Sequence, residues 1–291
     1  MFKRAGIRSK RAYISVANQR VVVRQVDLPH LDEKEFRSSL RFQVADHIPM
    51  AVEDAELDYR IVEEFETEDG QEMMRVQLMA AARDMVERFV DTVVQAGVEP
   101  LGVDLTPFAI ARAVSPAARG EEGRGGAEAV IDVGAGVTNI LVHHNGEPRF
   151  VRILLVGGDD TTAGLVRELG VGFDEAEAIK LDLGRGVGGH EAARVVEERV
   201  RALVEEIRGS LDYYLTQEGS VPISSLLLTG GGSLTQGFVR GLQDASPAPL
   251  RRGTPLASLR AGRSGLDDEQ MEAIEPVAGA AVGIALGALQ R

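Results

Sequence analysis

The 291-residue chain is 44% hydrophobic and 26% charged, with 33 glycines and no cysteine, the composition of a folded globular protein. The absence of cysteine excludes a disulfide framework, a thiol nucleophile and a thiolate metal site, and nothing calls for an oxidising compartment. A net charge of −13, from 45 acidic against 32 basic residues, argues against nucleic acid as a partner, because phosphate neutralisation needs a basic surface.

At roughly 100–200 residues per domain the length allows one large domain or two modest ones. Lys3, Arg4, Arg8, Lys10 and Arg11 open the chain with no apolar stretch after them, so export by a signal peptide is not expected and cytoplasm is the default. Arg11–Ala17 and Val21–Asp27 flank a polar turn and predict a hairpin. Asp32 before Glu35 resembles a capping box, and Phe36, Leu40, Val44 and Ile48 then repeat every four residues up to Pro49, predicting a helix. From 53 to 72 ten acidic residues stand against Arg60 alone, interleaved with Leu57, Tyr59, Ile61 and Phe65. That alternation predicts a strand with an acidic outer face, turning at Asp69-Gly70 into a second strand, Met73–Ala81. The acidic face is either a solvated edge that discourages aggregation or a docking surface. A helix follows at Arg83–Ala96 with Val86, Phe89, Val90, Val93 and Val94 on one stripe, so residues 10–97 read as a ββαββα unit.

Leu101–Leu105 predicts a strand, and 106–114 a helix with Pro107 in its first turn. The Gly-rich, charged stretch 115–126 reads as a linker and lobe boundary. Ala129–Val133, Val137–His144 and Pro148–Leu155, joined at Gly134-Ala135-Gly136 and Asn145-Gly146, predict a three-stranded meander. Helices are expected from about Asp159, over Asp174–Leu181 and from about His190 to Thr216. A buried strand, Ser225–Thr229, runs into Gly230-Gly231-Gly232 and a helix over Leu234–Gln243. A polar loop spans 246–268. The run Val277–Leu289 is shorter than the ~18–20 residues that span a bilayer, and it reads as a close-packed buried helix.

Three segments could carry chemistry. In Asp132-Val133-Gly134-Ala135-Gly136-Val137-Thr138-Asn139, two glycines in a hairpin turn allow backbone N–H groups to converge on phosphate oxygens. Thr138 can add a hydroxyl there, and Asp132 can hold Mg²⁺ through its waters. The same glycines would equally serve a tight hairpin. The turn is neither a Walker loop nor a dinucleotide fingerprint, because no Gly-Lys-Ser/Thr follows and the next element is a strand. In Thr229-Gly230-Gly231-Gly232-Ser233, three glycines let a flat ligand approach the backbone, and the expected helix N-terminus favours an anion. Glu177 and Lys180, three apart on one helix, pair with each other or point at a ribose and base. No metal-ligand cluster is apparent, and His143 and His144 read as surface residues.

The order of these segments is similar to that of the actin-like ATPases. IDVGAGVTNILVHHNG resembles their phosphate-2 segment, with Gly158 at the following helix, FDEAEAIK their ribose-contacting helix, LLLTGGGS their adenosine motif and EPVAGAAVGIALG their second connecting helix. Within that superfamily the chain resembles the PilM family of type IV pilus assembly, on GIRSKRAYISV, LRFQVADHIPMAVEDAELDYRIV and MAAARDMVERFVDTVVQAGVEPLGVDLTPFAIARA, with FtsA the nearest competitor. The resemblance implies an α/β, actin-like (ribonuclease H-like) two-lobed fold with an inserted ββαββα subdomain and a first lobe incomplete at its N-terminus. The divisions it implies are an inserted subdomain over 1–97, the remainder of the first lobe and linker over 98–126, and the phosphate-2 meander over 127–165. A helical subdomain over 166–222, an adenosine-motif region over 223–270 and a terminal helix over 271–291 returning to the first lobe complete them.

The family pattern opens with a strand–D-x-G–strand phosphate-1 hairpin, and no such element precedes residue 10. By domain-size reasoning roughly 50–60 residues of pattern are absent. Either Met1 is an internal methionine of a longer reading frame or the chain is a shortened paralogue. In both cases the first lobe is expected to expose a sheet edge or core face. The nucleotide site implied consists of Asp132, Gly134, Ala135, Gly136, Thr138, Asn139, Gly158, Glu177, Lys180, Gly230, Gly231, Gly232 and Ser233, with ATP and Mg²⁺ as ligands and Asp132 on the metal. The function implied is a cytoplasmic assembly protein, peripheral to the inner membrane. It would dock the N-terminal tail of a PilN-type membrane protein, contact other pilus assembly proteins or itself, and act by docking with at most weak ATPase activity. The alternatives are an actin-like phosphotransferase and an FtsA-like filament former, the latter lacking here its amphipathic C-terminal helix.

Overall fold

The computed structural model describes residues 6–120, 125–257, 259 and 265–289. Lys3, Arg4 and the centre of the expected linker lie outside them, as do parts of the loop over 246–268. The chain divides into two compact units, Met1–Asp104 and Leu105–Arg291.

The first unit runs through β1 (Arg11–Val16), β2 (Val21–Pro29), α1 (Glu33–Gln43), β3 (Ala55–Glu66), β4 (Glu72–Ala82), α2 (Arg83–Gln95) and β5 (Glu99–Leu105). The ββαββα order holds, but β1 and β2 do not form the expected hairpin. The turn between them exists, with Val21 N–H donating to Asn18 O at 3.0 Å, yet β1 neighbours β5 while β2 joins a separate sheet of order β2-β4-β3. All nine residues of β2 pair with β4, Val21 opposite Ala81 through Pro29 opposite Met73. That long ladder buries Val26 and Leu28 with Met74, Val76 and Leu78 under α1, an apolar gain that a short hairpin with β1 does not offer.

Asp32 caps α1, its carboxylate accepting from Glu35 N–H at 2.8 Å. Phe36, Leu40, Val44 and Ile48 are all buried as the spacing predicts, and Phe36 meets Tyr59 edge-to-face with centroids 4.8 Å apart. The α-helix nevertheless ends at Gln43. Ala45–His47 tightens to a 3-10 turn and Ile48 is extended, because the residue before a proline is excluded from helical geometry. The acidic strand and its turn are as expected, with Gly70 at φ +79 and Leu57, Tyr59 and Ile61 packed inward. Along α2 the apolar stripe forms but is not fully buried: Phe89 is 38% and Val94 53% exposed.

The second unit consists of α3 (Thr106–Val114), β6 (Ala127–Val133), β7 (Thr138–His144), β8 (Glu147–Leu154), α4 (Gly158–Leu169), α5 (Phe173–Gly184), α6 (His190–Leu215), β9 (Ile223–Thr229), α7 (Phe238–Ala245), β10 (Leu250–Arg252), α8 (Asp268–Ile274) and α9 (Gly279–Leu289). Its sheet has the order β10-β9-β6-β7-β8, with β6 parallel to β9 and antiparallel to β7. Alternation along β6 sends Ala129, Ile131 and Val133 into a core with Leu165 of α4, Ile207 of α6 and Phe238 of α7. Val130 faces the opposite side, with Leu141, Leu227, Ile110 of α3 and Val282 of α9. The sheet is therefore covered on both faces.

One element, β10, arises inside the expected polar loop, and another, α8, begins at its last residue. β10 pairs parallel with β9, and α8 is capped by Asp267, whose carboxylate accepts from Gln270 N–H at 2.8 Å. The glycine turn after β9 does not lead straight into a helix. It winds into a 3-10 turn, Gly231–Leu234, and α7 starts only at Phe238 after Gly237 at φ +80. The expected terminal helix is half-buried, not buried all round: Gly279, Val282 and Gly283 form its covered stripe, while Leu289 is 83% exposed. Gly283 lies so near α3 that a Cβ there would fall on the Ala109 backbone. Among the described residues no single helix is long and apolar enough to cross a membrane.

At the start of β6 a partly buried carboxylate ties four elements together. Glu128 Oε1 accepts from Ser115 Oγ at 2.6 Å and stands 3.3 Å from His143 Nε2 of β7. Its Oε2 accepts from Ser225 Oγ of β9 at 3.1 Å and from Arg251 of β10 at 2.8 Å. His143, expected at the surface, is 1% exposed. Burial pushes the Glu128 carboxyl up, but His143, Ser115 and Ser225 outweigh it and hold it at about 2.

Candidate functional site

The register sets Asp132 opposite Asn139 and Val133 opposite Thr138, so the Gly134–Gly136 turn closes the hairpin at the end of β6. Gly134 N–H closes it by donating to Val137 O at 2.9 Å. Ala135 and Gly136 are exposed, and their N–H groups donate to no described residue. These two open donors, with nothing within 4 Å of a Cβ position on Gly136, are what an anionic oxygen needs. The first N–H groups of α4 are already used: Gly158 donates to Gly134 O at 2.9 Å and Asp159 to Ala135 O at 2.8 Å. This clamp depends on Gly157, whose Cβ would overlap both carbonyls. Thr138 is fully buried and its hydroxyl donates to Val156 O at 2.8 Å, so it holds the hairpin to the segment entering α4.

Asp132 Oδ2 accepts from Asn139 Nδ2 at 3.0 Å. Asn139 Oδ1 is buried without a partner, and no described residue donates to Asp132 Oδ1. Burial raises the Asp132 carboxyl above its ordinary value, with the Asn139 bond opposing. Two acceptor oxygens on neighbouring strands, one on a carboxyl that burial discourages from ionising, suit the waters of a hydrated divalent cation, whose charge would favour the carboxylate. No group of three or more His, Cys, Asp or Glu that could hold a metal directly occurs among the described residues.

The Glu177–Lys180 pair of α5 forms, and α4 completes it. Lys180 Nζ lies 2.7 Å from Glu177 Oε2, 2.8 Å from Thr162 Oγ1 and 3.1 Å from Gly158 O. Its three N–H donors are thereby all engaged inside the protein, in keeping with 8% exposure. Thr162 Oγ1 donates to Glu177 Oε2 at 2.6 Å. Burial pushes the Glu177 carboxyl up, but the Lys180 and Thr162 bonds and the Lys180 charge hold it below its usual value.

The β9 turn meets the same place. Gly230, at φ +90, lies where a side chain would strike the Val133 backbone, and a Cβ on Gly232 would come within 2.9 Å of Gly134 O. One on Gly158 would reach Lys180 Nζ at 3.5 Å and Gly232 Cα at 3.6 Å. The hairpin turn, the start of α4, the middle of α5 and the glycine turn thus converge, although they lie far apart in sequence. Ser233 Oγ turns inward, donating to Gly230 O at 2.6 Å. Beside Gly231 stands Val277, with its Cγ1 3.3 Å from a Cβ position there and the residue 64% exposed.

Sequence reasoning missed Thr162 and Val277. No spacing rule connects Thr162 with Glu177, 15 residues on. Val277, amid apolar neighbours in the sequence, reads as core.

A family model described as "Type IV pilus assembly protein PilM" matches residues 1–289. Cell division protein FtsA of Neisseria meningitidis serogroup B is 28% identical over 203 residues, 62% of this chain and 48% of that protein. FtsA of Streptococcus pneumoniae is 28% identical over 193 residues, 59% and 41% respectively. The chain spans about half the length of these curated relatives. Among solved structures, a "PilM-PilN type IV pilus biogenesis complex" chain has a TM-score of 0.81 at 24% identity, covering 98% of this chain and 82% of that one. The fold is α/β and actin-like.

Proposed function

Since the chain belongs to the PilM family of type IV pilus assembly proteins, we propose that it works in pilus assembly as a docking protein with ATP as a conformational ligand. Its partner in this reading is the N-terminal tail of a PilN-type inner-membrane protein, which would hold it at the cytoplasmic face of that membrane. Contacts with other assembly proteins would follow from that position. The observation that carries the proposal is the extent of the family match, 1–289, which takes in both compact units. The PilN-type partner is carried over from the solved complex that shares the fold.

The convergent turns suit ATP. In this reading the Ala135 and Gly136 N–H groups bind phosphate oxygens, and Asp132 with Asn139 holds Mg²⁺ through water. Glu177 accepts from the ribose, and the base lies over Gly231 and Gly232 beside Val277. Gly134, Thr138, Gly158, Lys180, Gly230 and Ser233 shape the site by close approach and internal hydrogen bonds. Bound ATP supplies charge and a bridge between segments that stabilises one arrangement of the protein.

Calorimetric titration with a synthetic peptide of a PilN-type N-terminal tail tests the docking reading. Saturable binding is expected, weakened at least tenfold by scrambling the peptide, a loss of about 1.4 kcal/mol. Absence of heat at high micromolar peptide from a folded protein would remove the docking function.

A further inference from the structure

Thr162 is fully buried in α4, contributes a single hydroxyl proton, and stands between two charged side chains of α5. It has two acceptors in reach, Glu177 Oε2 at 2.6 Å and Gly158 O at 3.2 Å. The shorter, charge-assisted bond takes the proton. Its lone pair accepts from Lys180 at 2.8 Å. Glu177 Oε2 is then fixed from two sides, by Thr162 and by Lys180 at 2.7 Å. Oε1 has no donor among the described residues, and the Glu177 side chain is 37% exposed.

Resting on the nucleotide reading above, we propose that Thr162 is a positioning residue for ribose recognition, locking Glu177 so that Oε1 alone is presented to the sugar hydroxyls. Lys180 acts with it from inside, since its donors are spent on Gly158, Thr162 and Glu177 and none is left for a ligand. An ammonium is a rotatable point charge that attracts the carboxylate without fixing its plane. The hydroxyl supplies the second, directional bond that prevents the two carboxylate oxygens from exchanging places.

Affinities for ATP, 2′-deoxy-ATP and 3′-deoxy-ATP, measured by calorimetry on the full chain, test this. Their ratio on one protein cancels any general loss of stability. Wild type is expected to bind ATP roughly tenfold more tightly than either deoxy analogue, the value of a hydrogen bond to a charged group. Thr162→Val, which keeps the shape and removes the hydroxyl, is expected to reduce that preference to about twofold or less, and Thr162→Ser to restore it. If Thr162→Val does not fold, Glu177→Gln, at a partly exposed position, is expected to lose the preference in the same way. Equal binding of all three nucleotides by wild type, or a preference unchanged in Thr162→Val or Glu177→Gln, overturns the inference and leaves nucleotide binding standing. Failure of wild type to bind any of the three overturns the nucleotide reading itself, and the inference with it.

Discussion

Gly283→Ala is expected to destabilise the protein by about 2–3 kcal/mol, although alanine is the better helix former by ~1 kcal/mol. The reason is the approach of α9 to α3. A Cβ on Gly283 would fall on the Ala109 backbone, and backbone cannot rotate aside as a side chain can. Two other glycines on the same stripe make internal controls. Gly279→Ala meets only Ile110 side-chain carbons at 3.7 Å, so it is expected to be neutral or stabilising by up to ~1 kcal/mol. Gly287→Ala meets the Arg112 guanidinium at 2.9 Å, which is held by its Nε donating to Gly283 O at 3.2 Å, so the substitution is expected to cost about 1 kcal/mol by displacing that bond, less than Gly283→Ala. Urea denaturation of the three variants would check the order. Stability of Gly283→Ala equal to wild type would mean that the helices are not packed this closely.

Glu128→Ala is expected to cost about 3 kcal/mol at neutral pH, because it leaves Ser115, Ser225 and Arg251 without their shared acceptor and removes the carboxylate beside buried His143. The pH dependence gives a second signature. The Glu128 carboxyl is depressed from 4.5 to about 2 in the folded protein, so its contribution is fully present above the unfolded value and is lost as pH falls through the folded one. At ~1.4 kcal/mol per pH unit, that span corresponds to about 3 kcal/mol. The stability difference between wild type and Glu128→Ala should therefore be constant from pH 7 to about 5 and shrink progressively toward about pH 2. A difference that stays constant over the acid range would show that Glu128 is not held ionised by this network.

Local signals are legible in the sequence, and long-range ones are not. Asp69-Gly70 and Asn145-Gly146 both mark turns where the structure has them, with positive φ at Gly70, Asn145 and Gly146. The period-four run from Phe36 found the buried face of α1. The β1–β2 hairpin failed because a short loop suggests pairing, whereas the partner of β2 is β4, some fifty residues on, chosen by the core they bury jointly. β10 was hidden because three residues, Leu250–Arg252, carry no period of their own.

The candidate site shows the same division. The glycines of both turns were visible as glycines, and their spacing suggested a ligand. That Gly158 lies against Lys180 and Gly232, or that Thr162 joins the Glu177–Lys180 pair, depends on four segments meeting in space. Thr138 and Ser233 look like ligand hydroxyls in sequence, yet each donates to a nearby backbone carbonyl.

In the proposed function, the 134–136 turn, α4, α5 and the Gly230–Gly232 turn form one nucleotide-binding site. Thermal unfolding with and without Mg-ATP, on wild type and on Gly232→Val, tests it most directly. Ligand at a hundred times its Kd adds about 2.7 kcal/mol, a rise in midpoint of roughly 5–10 °C for a protein of this size. That rise is expected in wild type and is lost in Gly232→Val, whose side chain would press on Val133 and Gly134. An unchanged wild-type midpoint at millimolar Mg-ATP would contradict it.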